Sequence, residues 1–245
     1  KKGNDTKNFE AREFIRIMDK LSENHSLTNW LEIDRQGAGC FRVIMNENSH
    51  LWEPFSIRYA NLYSLERNLY KNTFGNKILF EEINHDLKLT FQYQWSTCDR
   101  YGFVKTSRLI NHGDSAATIS VLDGIQNILP FGVGSALQNQ RSNLVDAYRR
   151  SELEAKSGLG IFALSAIIVD KAEPSEALKA NIAWSIGLPN PRRLLSCLQF
   201  DKFRDGQPVV DEVDIKAEKG AYFVNADISL AAGGKMEWMV VADVR

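Results

Sequence analysis

The chain has 245 residues, of which 44% are hydrophobic and 25% are charged, a composition typical of a globular domain with a sizeable core. Its formal net charge of −1 excludes a global attraction to nucleic acid or to anionic membrane surfaces. No apolar run approaches the roughly 18 residues that a membrane-spanning helix needs. The three cysteines are widely separated, which predicts buried free thiols rather than a disulfide framework or a zinc motif.

Residues 8–24 are predicted to form a helix, because four apolar residues recur there at helical spacing and make one stripe. These residues are Phe14, Ile17, Met18 and Leu21. We expect this N-terminal helical segment, residues 1–25, to pack on the sheet of the rest of the chain. Residues 26–245 contain no linker rich in Pro, Gly or Ser, so a single sandwich domain is predicted there.

After Leu27 the apolar pattern changes to a period of two, which predicts β-strands. Two strands are predicted up to Met45, and another is predicted from Ile78 to a polar turn at 84–86. In 87–95 large apolar residues alternate with polar ones, as expected of a half-buried strand.

Two more strands are predicted to follow, at 103–110 and from Ala117 onward. The turn between these two strands is short and contains Asn, Gly and Asp, so we predict an antiparallel meander of three adjacent strands. Residues 135–158 favour helix formers and are predicted to be helical.

Two tight hairpins are predicted near the end of the chain. One turns at Asp205–Gly206, and the other turns at Gly233–Gly234 and places Ile228 opposite Met239. The whole pattern predicts a mainly β chain, built as a large antiparallel two-sheet sandwich with a few helices.

No catalytic motif is visible in the sequence. There is no glycine-rich phosphate loop, no nucleophile elbow and no pair of histidines at metal-binding spacing, so no metal and no cofactor are predicted. The carboxylates are expected to be surface charges, including those of the helix at 135–158 and of Asp211, Glu212 and Asp214.

Aromatic and planar polar residues are the remaining candidates for ligand contact. Sugar rings pack their C–H faces on Trp or Tyr, and their hydroxyls bind Arg, Asn and similar partners. Ordinary core packing is the alternative explanation for each aromatic residue. The candidates for carbohydrate contact are Trp95, Arg100, Tyr101, Asn143, Tyr148, Arg149 and Arg150.

Two stretches carry a resemblance to a known family. They are TFQYQWSTCDRYGFVKTSRLINHGDSAATISVLDGIQNILP, residues 90–130, and KGAYFVNADISLAAGGKMEWMVVADV, residues 219–244. They resemble the N-terminal β-sandwich of cellobiose-phosphorylase-like enzymes, glycoside hydrolase family 94, and of related six-hairpin glycosidases. The resemblance implies a super-sandwich similar to the galactose-mutarotase-like fold.

The resemblance also implies that catalysis belongs to an (α/α)6 barrel that follows the sandwich in the parent chain. The sandwich would then be non-catalytic, would pack on this barrel, and would border an oligosaccharide or polysaccharide cleft or a homodimer interface. Three alternatives remain open: an autonomous carbohydrate-binding module, a mutarotase-like enzyme with a His–carboxylate pair, and a structural sandwich without a ligand.

Overall fold

The computed structural model of the chain describes residues 39–45, 48–56, 61–98, 100–134, 137, 141–166 and 179–243. The helix predicted at 8–24 and the first strand predicted after Leu27 lie outside these residues. None of the helices in the described part of the chain is long and apolar enough to cross a membrane.

The described residues form fourteen β-strands and two short helices. The strands are β1 (Gly39–Met45), β2 (Asn48–Trp52), β3 (Leu65–Lys71), β4 (Lys77–Asn84), β5 (Leu89–Cys98), β6 (Gly102–Asn111), β7 (Ala117–Ile128), β8 (Arg149–Glu154), β9 (Leu159–Leu164), β10 (Asn181–Ile186), β11 (Arg192–Leu194), β12 (Asp214–Lys216), β13 (Gly220–Leu230) and β14 (Lys235–Asp243). The helices are α1 (Ser142–Tyr148) and α2 (Phe200–Arg204).

The strands assemble into two sheets. The smaller sheet has five strands in the order β11-β13-β7-β1-β2, and the larger has nine in the order β12-β8-β9-β10-β14-β6-β5-β4-β3. The paired strands run antiparallel in both sheets. The predicted mainly β, two-sheet antiparallel sandwich is therefore confirmed.

Aromatic side chains from both sheets fill the space between them. Phe41 of the smaller sheet meets Phe91 of the larger sheet edge to face, with ring centroids 4.8 Å apart. Phe91 in turn stacks on Trp238, with centroids 6.3 Å apart. All three side chains are almost completely buried. Burial of a side chain of this size contributes about 1.5–3 kcal/mol, so these contacts hold the two sheets face to face.

A second apolar layer covers the outer face of the smaller sheet. Leu122 and Phe223 point outward from β7 and β13 and pack with Phe203 of helix α2. Helix α2 ends at Arg204, and Gly206 follows its C-cap with a φ of 86°, in the left-handed region. The N–H of the next residue, Gln207, donates to the carbonyl of Lys202, which completes a glycine-capped helix end.

The strands predicted around residues 78–110 are confirmed as β4, β5 and β6, and they are neighbours in the larger sheet. The predicted alternation also holds, because Leu89 and Phe91 of β5 are fully buried in the core. The third strand of the predicted meander is a strand, but its predicted position is wrong. β7 leaves β6 and joins the smaller sheet between β1 and β13.

The hairpin predicted at Gly233–Gly234 is also wrong. β13 belongs to the smaller sheet and β14 to the larger one, so this turn carries the chain across the sandwich. Ile228 therefore lies opposite Ile119, and Met239 lies opposite Thr106. An apolar alternation reports which face of a strand is buried, but it does not report which sheet the strand joins.

The helix predicted at 135–158 is wrong over most of its described length. Helix α1 ends at Tyr148, and the residues after it form β8, which pairs with β9. The sequence of β8, RRSELE, buries every second residue against the neighbouring layer, as a strand does. The tight hairpin predicted at Asp205–Gly206 is wrong as well, because this pair ends helix α2.

Candidate functional site

The hairpin of β5 and β6 separates two of the predicted contact residues. Trp95 lies opposite Lys105 in the ladder, and Lys105 points into the core. Trp95 is half-buried on that inner side of the larger sheet. Tyr101 lies in the turn after β5 and is 44% exposed. Trp95 and Tyr101 therefore face different environments.

A second tryptophan meets the turn from β10. Ala183 of this strand is fully buried in the core, so its neighbour Trp184 points to the outer face of the larger sheet. The rings of Trp184 and Tyr101 meet edge to face, with centroids 6.3 Å apart and an interplanar angle of 73°. The guanidinium of Arg100 lies 5.3 Å from the centroid of Tyr101. We call these three residues the aromatic corner.

The aromatic corner combines the two kinds of group that a saccharide needs. The rings offer apolar faces and edges for the C–H faces of a sugar. The guanidinium offers several N–H donors in one plane for hydroxyl oxygens, and it also stacks on the tyrosine ring. Arg100 and Tyr101 were predicted from the sequence, whereas Trp184 was missed. The only sequence signal for Trp184 is the alternation in NIAWSI, which places a large aromatic on a half-exposed strand face.

The candidates around helix α1 are placed elsewhere. Arg149 is 4% exposed, and its Nε lies 2.8 Å from the Asp146 carboxylate. Burial lowers the pKa of Arg149, an effect that Asp146 opposes. Tyr148 is half-buried and packs on the small apolar cluster below the helix, whereas Asn143 is exposed.

Arg150 lies on the outer face of β8 and is held by two carboxylates, at 2.9 Å from Glu152 and 3.1 Å from Asp214. In the ladder Glu152 faces Ile161, and Ile161 faces Ile182. Arg150 therefore lies two strands across the sheet and four residues along the strand direction from Trp184, which places their backbones roughly 16 Å apart. A single sugar ring cannot contact both Arg150 and the aromatic corner.

Several carboxylates are buried rather than at the surface. The expectation that Glu212 is solvated is wrong, because Glu212 is only 6% exposed. It accepts hydrogen bonds from the backbone N–H of Leu195 and from the side chains of Ser196 and Gln199. Glu152 and Glu154 were expected on a helix, but they lie on strand β8, where residues two apart share a face.

Glu82 and Asp123 are completely buried and each accept several hydrogen bonds. The donors to Glu82 are the Trp52 indole, the Phe55 backbone N–H and the Arg67 guanidinium. The donors to Asp123 are the Lys105 ammonium, the Ser107 hydroxyl and the Trp238 indole. We call these two buried carboxylates internal clamps, because they bind donors inside the domain. They are not exposed to a substrate and so are not available as general acids or bases.

The thiols and imidazoles do not form a reactive set in the described part of the chain. Cys40 is a buried free thiol, as predicted, and Cys197 is free and half-buried. Burial raises the pKa of Cys197 to about 12, so this thiol is not a nucleophile at neutral pH. His85 and Glu66 lie 3.7 Å apart on the surface, with side chains 52% and 54% exposed. Among the described residues, no three His, Cys, Asp or Glu side chains gather to hold a metal ion.

Comparison with known proteins gives similarity in structure only. No family model and no curated protein sequence matches the chain. Solved structures that resemble it include a polysaccharide lyase, with 12% identity and a TM-score of 0.47 over 91% of this chain. A bacterial glucoamylase complexed with acarbose has 9% identity and a TM-score of 0.48 over 84% of this chain.

A third structure, a 4-alpha-glucanotransferase from Thermococcus litoralis, has 11% identity and a TM-score of 0.32 over 87% of this chain. All three are carbohydrate-active enzymes. The chain spans only 28%, 27% and 29% of their respective lengths.

Proposed function

We propose that this chain is a non-catalytic β-sandwich domain of a carbohydrate-active enzyme, and that it contacts a saccharide at the aromatic corner. In its parent protein it packs on a catalytic (α/α)6 barrel and borders the substrate cleft. The observation that carries the saccharide contact is the edge-to-face pair of Tyr101 and Trp184 beside the Arg100 guanidinium.

The geometry of the corner favours a sugar over a purely apolar ligand. Tyr101 is 44% exposed, although a large aromatic side chain gains free energy by burial. A saccharide uses both an apolar face and a ring of hydroxyls, and here the rings and the guanidinium are adjacent. The row of outer-face residues next to the corner includes Ile186, which is 59% exposed and extends the apolar surface along β10.

The non-catalytic role is supported by the hydrogen bonds that occupy the buried carboxylates. Glycoside cleavage requires two carboxylates on either side of the bond that breaks. Glu82, Asp123 and Glu212 are instead occupied by fixed donors inside the domain. The barrel that would supply catalytic carboxylates is inferred from the resemblance of residues 90–130 and 219–244 to the family 94 sandwich. A parent coding sequence that continues after Arg245 into something other than a helical barrel would contradict this part of the proposal.

The saccharide contact is tested by calorimetric titration of the chain with cello-oligosaccharides and malto-oligosaccharides. Trp184→Ala and Tyr101→Ala are each expected to weaken binding at least roughly tenfold, because truncating an aromatic anchor typically costs about 2 kcal/mol or more. Trp95→Ala is the matched control, since Trp95 is an aromatic of the same sheet on the inner side. Equal losses in all three variants, or no binding by the unaltered chain, would overturn the contact.

A further inference from the structure

A cleft lies beside the C-terminal end of β7, apart from the aromatic corner. It has a volume of about 360 Å³, which is within the range of about 300–1,000 Å³ typical of small-molecule sites. It opens between helix α1, residues 197–198 and the turn that joins β12 to β13. Its polar lining residues are Gln126, Asn127, Asp146, Glu218 and Lys219. We call it the β7 cleft.

Two residues that line the β7 cleft have a left-handed backbone, and one of them is strained. Asn127 and Ala217 both have φ of 59°, a conformation that asparagine tolerates but that strains the alanine. The strain at Ala217 is held in place, because its N–H donates to the carbonyl of Arg149 over 3.0 Å. Backbone strain of this kind persists where the surrounding structure fixes it, and it clusters at binding sites.

The charges of the lining favour a neutral ligand. Asp146 is paired with Arg149 over 2.8 Å, and Glu218 and Lys219 bring one carboxylate and one ammonium, so the charges at the cleft balance and a charged ligand would meet no net opposite charge. Two amides complete the set, and they donate and accept hydrogen bonds equally well.

The apolar part of the lining is small but exposed. Leu198 is 59% exposed at the cleft, and the Cys197 thiol lies 3.8 Å from the Gln126 amide oxygen. The thiol stays protonated at neutral pH, since its pKa is about 12. The cleft therefore offers binding groups and no activated nucleophile. Two apolar side chains, Leu198 and Ala217, beside five polar or charged ones match a polyhydroxylated ring with one C–H face.

From these observations we infer that the β7 cleft binds a neutral saccharide unit of one or two rings, as a second saccharide site separate from the aromatic corner. This inference extends the proposed function, because it assigns the ligand class from the carbohydrate role of the domain. The two sites use different elements: the corner uses the β5–β6 turn and β10, and the cleft uses β7, helix α1 and the β12–β13 turn.

The test is a titration of the chain with glucose, cellobiose and maltose, with glucuronic acid as the charged comparison. Binding is followed by hydrogen exchange of the segments 124–128 and 216–220, which belong to the cleft. We expect the neutral sugars to protect these segments and glucuronic acid to protect them less. Glu218→Ala is expected to weaken this binding about tenfold, the value of one or two hydrogen bonds to a neutral ligand.

Two further variants make the test specific. Asn127→Gly removes the amide at a position whose φ glycine adopts freely, so it should weaken binding without unfolding the chain. Asp227→Ala removes an exposed carboxylate of β13 outside the cleft and should leave binding unchanged. Equal binding by the unaltered chain and by the Glu218 and Asn127 variants would overturn the inference, and so would preferred binding of glucuronic acid.

The corner variants separate this inference from the proposed function. If Tyr101→Ala abolishes oligosaccharide binding while the β7 cleft shows no protection, the proposed corner stands and the second site is refuted. If the cleft variants lose the disaccharides while Tyr101→Ala changes nothing, the second site stands and the corner is refuted.

Discussion

The buried Asp123 carboxylate is a polar link between the two sheets, and replacing it tests how the sandwich is held together. Asp123 lies on β7 of the smaller sheet. Lys105 and Ser107 on β6 and Trp238 on β14, all of the larger sheet, donate to it over 2.5, 2.6 and 2.7 Å. Asp123→Ala removes the acceptor and leaves a lysine that is only 3% exposed without its carboxylate.

We expect Asp123→Ala to lower the free energy of unfolding by about 3–5 kcal/mol, the usual cost of leaving a buried charge uncompensated. Lys105 also donates to the Gly124 carbonyl over 2.9 Å. This hydrogen bond remains in the variant, so we expect the loss of unfolding free energy to lie near the lower end of that range. Lys105→Met combined with Asp123→Leu removes both charges, so the double variant should lose less than Asp123→Ala alone.

Urea unfolding followed by far-ultraviolet circular dichroism measures these differences through the transition midpoint. Asp123→Asn keeps the shape of the side chain and provides a milder variant if Asp123→Ala does not fold. A loss of less than about 1 kcal/mol in Asp123→Ala, the size of an ordinary single hydrogen bond, would show that Asp123 does not compensate a buried charge. A double variant less stable than Asp123→Ala would show the same.

Three further predictions concern single residues. Gly206→Ala should cost about 1 kcal/mol because the position is left-handed, whereas Asp205→Ala should be nearly neutral in the same unfolding assay; equal effects would contradict the role of the cap. The peptide that contains Cys197 should resist iodoacetamide at pH 8 in the native protein, since its pKa is about 12, and should react in urea; rapid native labelling would contradict this burial. A hydrogen bond from Arg150 holds the pKa of Asp214 below its usual value. The Asp214 carboxylate therefore stabilises the fold at pH values above its unfolded pKa, and this stabilisation is lost as the pH falls through its folded pKa. Arg150→Gln should raise the pKa of Asp214 in an NMR titration; an unchanged pKa would contradict the pairing.

The strands of the larger sheet were predictable because their burial follows the chain locally. In β5 the large apolar residues occupy every second position, and this face of the strand lies against the core. In β6 every second residue is also buried, but the buried face includes Lys105, Ser107 and Asn111, so the sequence indicates the strand and not its inner face. The choice of sheet was not predictable in this way. β7 and β13 instead bury both faces over residues 121–124 and 220–226, and they pair with each other in the smaller sheet, which only contacts between distant residues decide.

The error at residues 135–158 has a physical cause. A charged segment with no Gly or Pro before its last residue favours a helix on local propensity alone. Pairing of β8 with β9 and β12 overrides this propensity, because Ser151 and Leu153 become buried and Arg150 gains two carboxylate partners. The internal clamp between Lys105 and Asp123 was missed for a related reason, since the two residues lie in strands of different sheets.

Part of the aromatic corner was predictable and part was not. Arg100 and Tyr101 follow a strand rich in aromatic residues, at a turn, where exposure is expected. Trp184 lies more than 80 residues later in the sequence, and no local pattern connects it to that turn. The sheet order brings the two together, because β10 and β6 both pair with β14.

A crystal structure of the chain with a bound cello-oligosaccharide or malto-oligosaccharide would show directly whether the aromatic corner holds a saccharide. We expect a sugar ring within about 4 Å of the Trp184 or Tyr101 ring, the distance of van der Waals contact, with a hydroxyl bonded to the Arg100 guanidinium. A saccharide bound on the Trp95 side of the larger sheet, with the aromatic corner empty, would show that the corner is not the binding site.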